Sequence, residues 1–348
     1  MKSVFFEGHG GLDVLKSADM PEPRPQEGEV RVRVKSCALN HLDIWVREGL
    51  PGNPKIPMPH IGGCDISGTI EAVGPGIKDP SLKIGAPVLV AAGVSCGECE
   101  FCQSHRDPLC KKFNILGFQR QGGLAEKVCV PERNIIPLST SSRYPLSDWA
   151  AFPLVFTTAW SMLMEKVKLQ ADETVLVQAA GSGIGSAAIQ VAKAVGAKVI
   201  TTVGEDWKIA EARKLGADEV INYKKEDFEK SVKDLTGGRG VDVTFEHIGP
   251  EVFVQSLRCL APGGRLVTCG STSGLDVTFN LRALFSKNIT VFGNYMGSIK
   301  GLKKAVQWAE ERKLKPLVGK TFPLDQTREA QRCMISRDFF GKIVVTVS

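Results

Sequence analysis

Four cysteines stand close together, Cys96, Cys99, Cys102 and Cys110, in the pattern Cys-x2-Cys-x2-Cys-x7-Cys. Thiolates at this spacing can wrap one tetrahedral metal ion and leave no position open, which makes the site structural rather than catalytic. Zinc is the favoured ion, with an iron–sulfur cluster as the competing reading because short Cys-x-x-Cys spacings serve those too. The residues between the cysteines are polar (Gly97, Glu98, Glu100, Gln103), unlike the setting of ordinary core cysteines, and His105 reads as a solvated loop residue. A second constellation is the small-residue turn Ala179, Ala180, Gly181, Ser182, Gly183, Ile184, Gly185. Unpaired N–H groups at a helix start carry the positive end of its dipole, and glycines let a diphosphate approach the backbone. The turn binds a dinucleotide if a strand precedes it and a helix follows.

Both flanking elements are legible. Val175, Leu176 and Val177 form an apolar run suited to a strand buried on both faces. Ala188, Val191, Ala192 and Val195 recur at helical spacing, and residues 199–203 form a second β-branched run. Further strands are expected at 220–221, 241–245, 265–269 and 289–292, with helices at 207–215, 228–236 and 252–260. Such alternation specifies a parallel sheet covered on both faces. The first 150 or so residues read differently. Val30, Val32 and Val34 alternate with Arg31 and Arg33, residues 67–73 end in Gly74, Pro75 and Gly76, and residues 86–90 give another strand. Pro21, Pro23, Pro25, Pro51, Pro54, Pro57 and Pro59 mark the loops of a β-rich region. A long helical pattern at 146–167 is expected as the hinge into the second half. A helix at 300–312 and a strand at 342–347 close the chain, the strand returning to the first domain.

At 348 residues the chain should hold two domains. Its net charge of +6 comes from 44 basic and 38 acidic residues that are interspersed, and the basic clusters are only pairs, such as Lys111 with Lys112. That excludes a nucleic-acid stripe. The longest uncharged stretch, residues 149–164, contains Pro153 and several hydroxyls and is too short for a membrane span. Residues 1–11 carry charge and glycine without an apolar leader pattern. The expectation is a cytoplasmic protein with reduced cysteines, no membrane contact and a small-molecule substrate.

A β-rich start with a four-cysteine loop, then a dinucleotide unit, then a return to the start, resembles the medium-chain dehydrogenase/reductase superfamily over nearly the whole chain. Cys96, Cys99, Cys102 and Cys110 match its structural-zinc lobe (about residues 93–113), and the turn from Gly181 to Gly185 matches its pyrophosphate turn. Two further stretches look like the quinone oxidoreductase branch: Leu39, Asn40, His41, Leu42, Asp43 with Arg47, Glu48, Gly49, and Gly341, Lys342, Ile343, Val344, Val345. The resemblance implies an α/β fold with two domains. One is a GroES-like β-rich catalytic domain, residues 1–153 and 297–348. The other is a Rossmann doubly wound parallel-sheet coenzyme domain, residues 154–296. It also implies hydride transfer between a nicotinamide and a carbonyl, alcohol, quinone or activated alkene, in a homodimer or homotetramer paired through residues 289–292.

The departures choose the branch. Zinc alcohol dehydrogenases hold a catalytic zinc through a cysteine, a histidine and a later cysteine. Here the first two positions are Asn40 and Cys64, and the third falls among Phe152, Pro153, Leu154, Val155 and Phe156, none of which is a ligand. An open zinc site needs three protein ligands, so the usual site is expected to be absent. His41, His60, Cys64 and Asp65 leave a non-standard metal as the alternative. By family position Asn40, Asp43 and Trp45 line the substrate pocket with Cys64 and Asp65 beside them. No residue stands out as proton donor, which leaves that role to solvent.

In NAD-selective folds an acid closes the second strand. Here Val203 stands there, followed by Gly204, while Lys208 and Tyr223 resemble the 2′-phosphate partners of NADPH-dependent quinone oxidoreductases. NADP(H) is expected over NAD(H), with Glu205 and Asp206 as first-turn acids of the next helix. The likeness implies further cofactor contacts from Thr158 and Lys342. Ile248, Cys269, Gly270, Asn294 and Tyr295 fall after strand ends, where an open α/β sheet holds its ligand. Three functions follow: an NADPH-dependent reductase of quinones, enones or related carbonyl electrophiles, a zinc-type alcohol dehydrogenase, or a catalytically idle nucleotide-binding protein.

Overall fold

The computed structural model describes residues 1–50 and 56–347, so Pro51 and Pro54 lie outside the described residues. Two compact units emerge, Met1–Leu154 with Ser298–Ser348, and Val155–Gly297.

The first unit is built on the strand Glu29–Ala38. Its alternation puts Val30, Val32 and Val34 in the core, while Arg31 and Arg33 point outward and pair with Glu71 of the neighbouring strand. That neighbour, Asp65–Val73, runs antiparallel and is followed across the sheet by Pro87–Val90 and Ile135–Pro137. On its other side the long strand pairs with Lys127–Pro131 at one end and with the last strand, Lys342–Thr346, at the other. The chain's end therefore does return to the first sheet, through Val344 opposite Ala38 and Val345 opposite Cys37. The sequence pattern did not reveal the parallel edge strand Val318–Pro323 or the helix Thr327–Ser336. One helix matters for the site. His41–Glu48 leaves the long strand immediately after Asn40, and Asp43 ties its first turn by accepting from the Asn40 N–H at 2.7 Å.

The second unit is a six-stranded parallel sheet. Its spatial order is Glu219–Asn222, Lys198–Val203, Thr174–Val177, Val241–Glu246, Leu260–Thr268, Thr290–Gly293. The order reverses beside the strand Thr174–Val177, the crevice where such sheets hold ligands. Leu176, Ile200, Ile221 and Leu266 of the sheet pack with Phe228, Val232, Phe253 and Leu257 of the covering helices, all buried. Each such side chain contributes about 1.5–3 kcal/mol of burial. The expected long helix at 146–167 is three pieces instead: a 3-10 turn Asp148–Ala151, an α-helix Pro153–Trp160 and a π-helical turn Ser161–Lys166. Pro153 explains the first break, because proline has no N–H and suits only a helix start. No described helix is long and apolar enough to cross a membrane.

Candidate functional site

The four-cysteine loop closes on itself. The Sγ atoms of Cys96, Cys99, Cys102 and Cys110 lie within 4.8 Å of one another. Cys99 to Cys102 and Cys96 to Cys110 are 3.5 Å apart, and Cys96 to Cys102 is 3.8 Å. Four sulfurs at about 2.3 Å from a tetrahedral zinc stand about 3.8 Å apart, so the donor set fits that ion. The N–H groups of Cys96 and Lys112 point at Cys110 Sγ (3.5 and 3.4 Å), as they would toward a thiolate. Buried Asp107 anchors the lobe by accepting from Ser95 Oγ at 2.8 Å and Arg133 at 2.9 Å. His105 is exposed, outside this shell. Among the described residues no other three His, Cys, Asp or Glu side chains converge in this way.

Four of the candidate catalytic residues, Asn40, Asp43, Cys64 and Asp65, form a closed polar network with Lys342, and Trp45 stands outside it. Lys342 Nζ, on the last strand, donates to Leu39 O (2.6 Å), Asn40 Oδ1 (2.6 Å) and Asp65 Oδ2 (2.9 Å). Asn40 Nδ2 donates to Asp65 Oδ2 (2.8 Å) and Cys64 Sγ (3.3 Å). Asp65 Oδ1 accepts from the Leu154 N–H at 2.7 Å, and Asp43 Oδ1 from the Gly63 N–H at 2.8 Å. Lys342 is 4 % exposed and Asp65 0 %. Its three N–H groups are thereby matched by three acceptors, and the structure assigns Lys342 to this network rather than leaving its ammonium open to a cofactor. Both amide protons of Asn40 are likewise committed.

This geometry does not suit a catalytic zinc. An ammonium already supplies the positive charge beside Asn40 and Asp65. Burial and the Asp65 charge push the Cys64 thiol well above its usual range. Burial also raises Asp43, against the opposing N–H groups of Asn40 and Gly63, to about 6. His60 is buried and bonded to Gly117 O at 3.0 Å. His41 and Trp45 meet edge to face, 4.9 Å between ring centres, both partly exposed on their helix. Burial holds the His41 imidazole below its ordinary pKa, helped by the Arg337 charge.

In the second unit the glycine turn joins the strand Thr174–Val177 to the helix Gly183–Val195. Ser182 is the N-cap: its Oγ accepts from Gly185 N at 2.9 Å and donates to Ala179 O at 2.8 Å. Gly185 has no room for a side chain, because a Cβ there would lie 2.2 Å from Ala179 O. The N–H groups of Gly183 and Ile184 have no partner among the described residues and lie where an anion binds a helix start. Lys208 lies against Gly181, its Cδ 3.0 Å from where a Cβ would stand, and Tyr223 Oη packs 2.6 Å from the corresponding point on Gly204. These residues, with buried Val203, make one cradle after the second strand. Glu205 and Asp206 do not act as helix-start acids. They pair with Lys224 and Lys225, and Asp206 also accepts from Asn222, so the adjacent strand end draws them away from the first turn.

The remaining sequence-derived contacts take their places around this unit. Thr158 is buried in Pro153–Trp160. Gly270 lies close against the backbone of residue 247, since a Cβ would be 2.5 Å from His247 O. Ile248 N donates to the buried carboxylate of Glu246, which also binds Gly249 N and Thr268 Oγ1. Burial raises the Cys269 thiol to about 12. Asn294 bonds Ser161 Oγ and Met296 O, both at 2.8 Å, whereas Tyr295 is exposed. Sequence reasoning missed His247. Its Nε2 lies 3.0 Å from Gln178 O and 3.4 Å from Ser182 Oγ. Only the position after a sheet strand end could have pointed to it.

Comparison with known proteins agrees with this architecture. Residues 26–140 match the alcohol dehydrogenase GroES-like domain and residues 183–311 match the zinc-binding dehydrogenase family. The chain belongs to that family, within the medium-chain dehydrogenase/reductases, and is an oxidoreductase of the dehydrogenase/reductase type. It is similar to quinone oxidoreductase 1 of Escherichia coli (strain K12), 33% identical over 284 residues, covering 82% of this chain and 77% of that one. It is 28% identical to an alcohol dehydrogenase of Geobacillus stearothermophilus over 96% of each chain. The solved structure of an NAD-dependent alcohol dehydrogenase superposes with a TM-score of 0.95 at 42% identity, over the full length of both chains.

Proposed function

We propose that this protein is an NADPH-dependent reductase of quinones, enones or related carbonyl electrophiles, holding one structural zinc at Cys96, Cys99, Cys102 and Cys110 and using no catalytic zinc. The observation that carries the reading is the Lys342–Asp65–Asn40 network, in which the Asn40 amide and the Asp65 carboxylate are already committed to each other and to an ammonium. Without a Lewis acid, a simple alkoxide is hard to stabilise, whereas an electron-poor quinone or enone spreads the incoming charge over its own π system. A bound nicotinamide supplies the hydride from its C4 position. The chain's own residues do the rest. Gly183 and Ile184 offer N–H groups to the diphosphate, and Ser182 and Gly185 hold that turn in shape. Lys208 and Tyr223, packed against Gly181 and Gly204, receive the 2′-phosphate. Asn40 acts as a positioning residue through Asp65, and Asp43 fixes the start of the helix that presents His41 and Trp45. Solvent returns the proton. Thr158, Ile248, Cys269, Gly270, Asn294 and Tyr295 remain candidate contacts of the cofactor.

A second reading is an alcohol dehydrogenase using NAD(H), and the 42% identity to an NAD-dependent alcohol dehydrogenase structure favours it. Initial rates of NADPH and NADH oxidation with a quinone, an enone and an aldehyde separate the two. The first reading predicts turnover of quinone or enone with NADPH, and a Lys208→Ala variant whose dissociation constant rises far more for NADPH than for NADH. Turnover confined to aldehyde and NADH, or equal losses in Lys208→Ala, contradicts it. We further propose a homodimer or homotetramer. Among the described residues the strand Thr290–Gly293 is the edge of its sheet; Val291 on it is exposed, as are Leu275, Leu281 and Phe285 earlier in the chain. Light scattering that returns the mass of one chain overturns this.

A further inference from the structure

His247 occupies the carboxyl end of the strand Val241–Glu246, beside the glycine turn but outside any contact described for the cofactor. It is 9 % exposed. Gln178 O can only accept, and the Ser182 hydroxyl already donates to Ala179 O, so both neighbours require a proton on His247 Nε2. The imidazole therefore donates to the last residue before the turn and to the residue that caps the helix after it. It braces the two ends of the turn that leads into the helix whose first N–H groups, those of Gly183 and Ile184, are open to an anion. The other charged and titratable groups here are few. Glu246, next in the chain, accepts from Ile248 N, Gly249 N and Thr268 Oγ1, and its charge opposes the effect of burial on the ring. The Cys269 thiol stays protonated, and Lys208 lies against Gly181. No second acid neutralises a charge on the ring.

We propose that His247 is a positioning residue for the cofactor diphosphate, holding the Gln178–Ser182 turn from one side, and that its imidazole takes up a proton when the diphosphate binds. This rests on the cofactor site proposed above. Burial keeps the unliganded imidazole below its ordinary pKa, so the neutral ring dominates near neutrality. A nearby diphosphate favours the imidazolium, which keeps its Nε2 donor and adds a positive charge beside the turn.

The test is calorimetric titration of the full-length protein with ADP-ribose, whose diphosphate does not titrate near neutrality, unlike a 2′-phosphate with its pKa near 6. The wild type should show binding enthalpies that depend on the buffer's ionisation enthalpy, with net proton uptake. Its dissociation constant should fall as the pH is lowered, by about tenfold for each unit by which the bound ring's pKa exceeds that of the free ring. His247→Gln keeps a donor toward Gln178 O and should bind with no proton uptake and no such pH dependence. The His247 Cε1 proton resonance, one of five histidines, should titrate higher with ADP-ribose present. A pH-independent wild type, an unchanged His247→Gln profile or an unshifted resonance overturns the proposal while leaving the cofactor site standing. No binding of ADP-ribose or NADPH to the wild type overturns both.

Discussion

Replacing Lys342 with methionine removes one partner of a fully buried ion pair. Methionine matches the length and volume of the lysine stem, so the change is electrostatic rather than steric. In the native protein Asp65 Oδ2 receives the Lys342 ammonium at 2.9 Å and the Asn40 amide at 2.8 Å, at 0 % exposure. Lys342→Met leaves that carboxylate with no counter-charge and frees Leu39 O and Asn40 Oδ1, both 2.6 Å from the ammonium. Breaking a buried pair from one side costs about 3–5 kcal/mol. Asp65→Asn should cost a similar amount by stranding the ammonium, although its retained oxygen still accepts the Leu154 N–H. Independent effects would sum to about 6–10 kcal/mol in the double variant. Because each single change owes most of its cost to the stranded partner, Lys342→Met with Asp65→Asn should cost no more than either alone. Urea unfolding at fixed protein concentration, followed by fluorescence and circular dichroism, gives all four corners of the cycle. Additivity within about 0.5 kcal/mol would refute the reasoning, since it would mean that the ammonium and carboxylate do not interact energetically.

Three further outcomes follow from the same geometry. Asp43 is raised by burial from 3.8 to about 6 in the folded protein, so the folded state holds its proton more tightly than the unfolded chain. Its stabilising contribution is complete below about pH 4 and lost as pH rises through about 6, up to about 3 kcal/mol; relative to wild type, Asp43→Asn should therefore gain stability across that window in urea titrations at several pH values, and a constant difference contradicts this. Gly185→Ala sets a Cβ 2.2 Å from Ala179 O, so NADPH binding measured by calorimetry should be lost, and a dissociation constant within about twofold of wild type would show that the turn yields more than close packing permits. Cys102→Ser should lose the metal, read as zinc per chain by plasma mass spectrometry, and cleave faster between residues 93 and 113 under limited proteolysis, because a structural zinc site contributes its binding energy to folding; an unchanged zinc content refutes the assignment.

How far the sequence reached depended on whether a feature was local. The cysteine loop and the glycine turn are each built from residues within about fifteen positions, and their spacing carries the chemistry. The parallel strands were equally plain, because strands buried on both faces are continuous apolar runs such as Val175, Leu176 and Val177. The edge strand Val318–Pro323 was not legible: half of its residues are exposed and it begins and ends among glycine and proline. Nor could spacing show that Lys342 meets Asp65, 277 residues earlier, since the contact exists only after the last strand pairs with Glu29–Ala38. Asn40 was legible as a substituted ligand, but not as an amide with both protons already committed. Glu205 and Asp206 went astray for a related reason, because Lys224 and Lys225, one strand further on, compete with the helix start for their charge. His247 gave no motif at all and emerged only from its distances to Gln178 and Ser182.

The central claim is that NADPH reduces an electron-poor acceptor here without a metal at the reacting centre. The most direct measurement is a single turnover in which NADPH absorbance is followed after mixing with a quinone or enone, using protein assayed at one zinc per chain. The account predicts full consumption at that stoichiometry, unchanged when further zinc is supplied. NADPH that persists with every acceptor, or that is consumed only once a second zinc per chain is loaded, contradicts it.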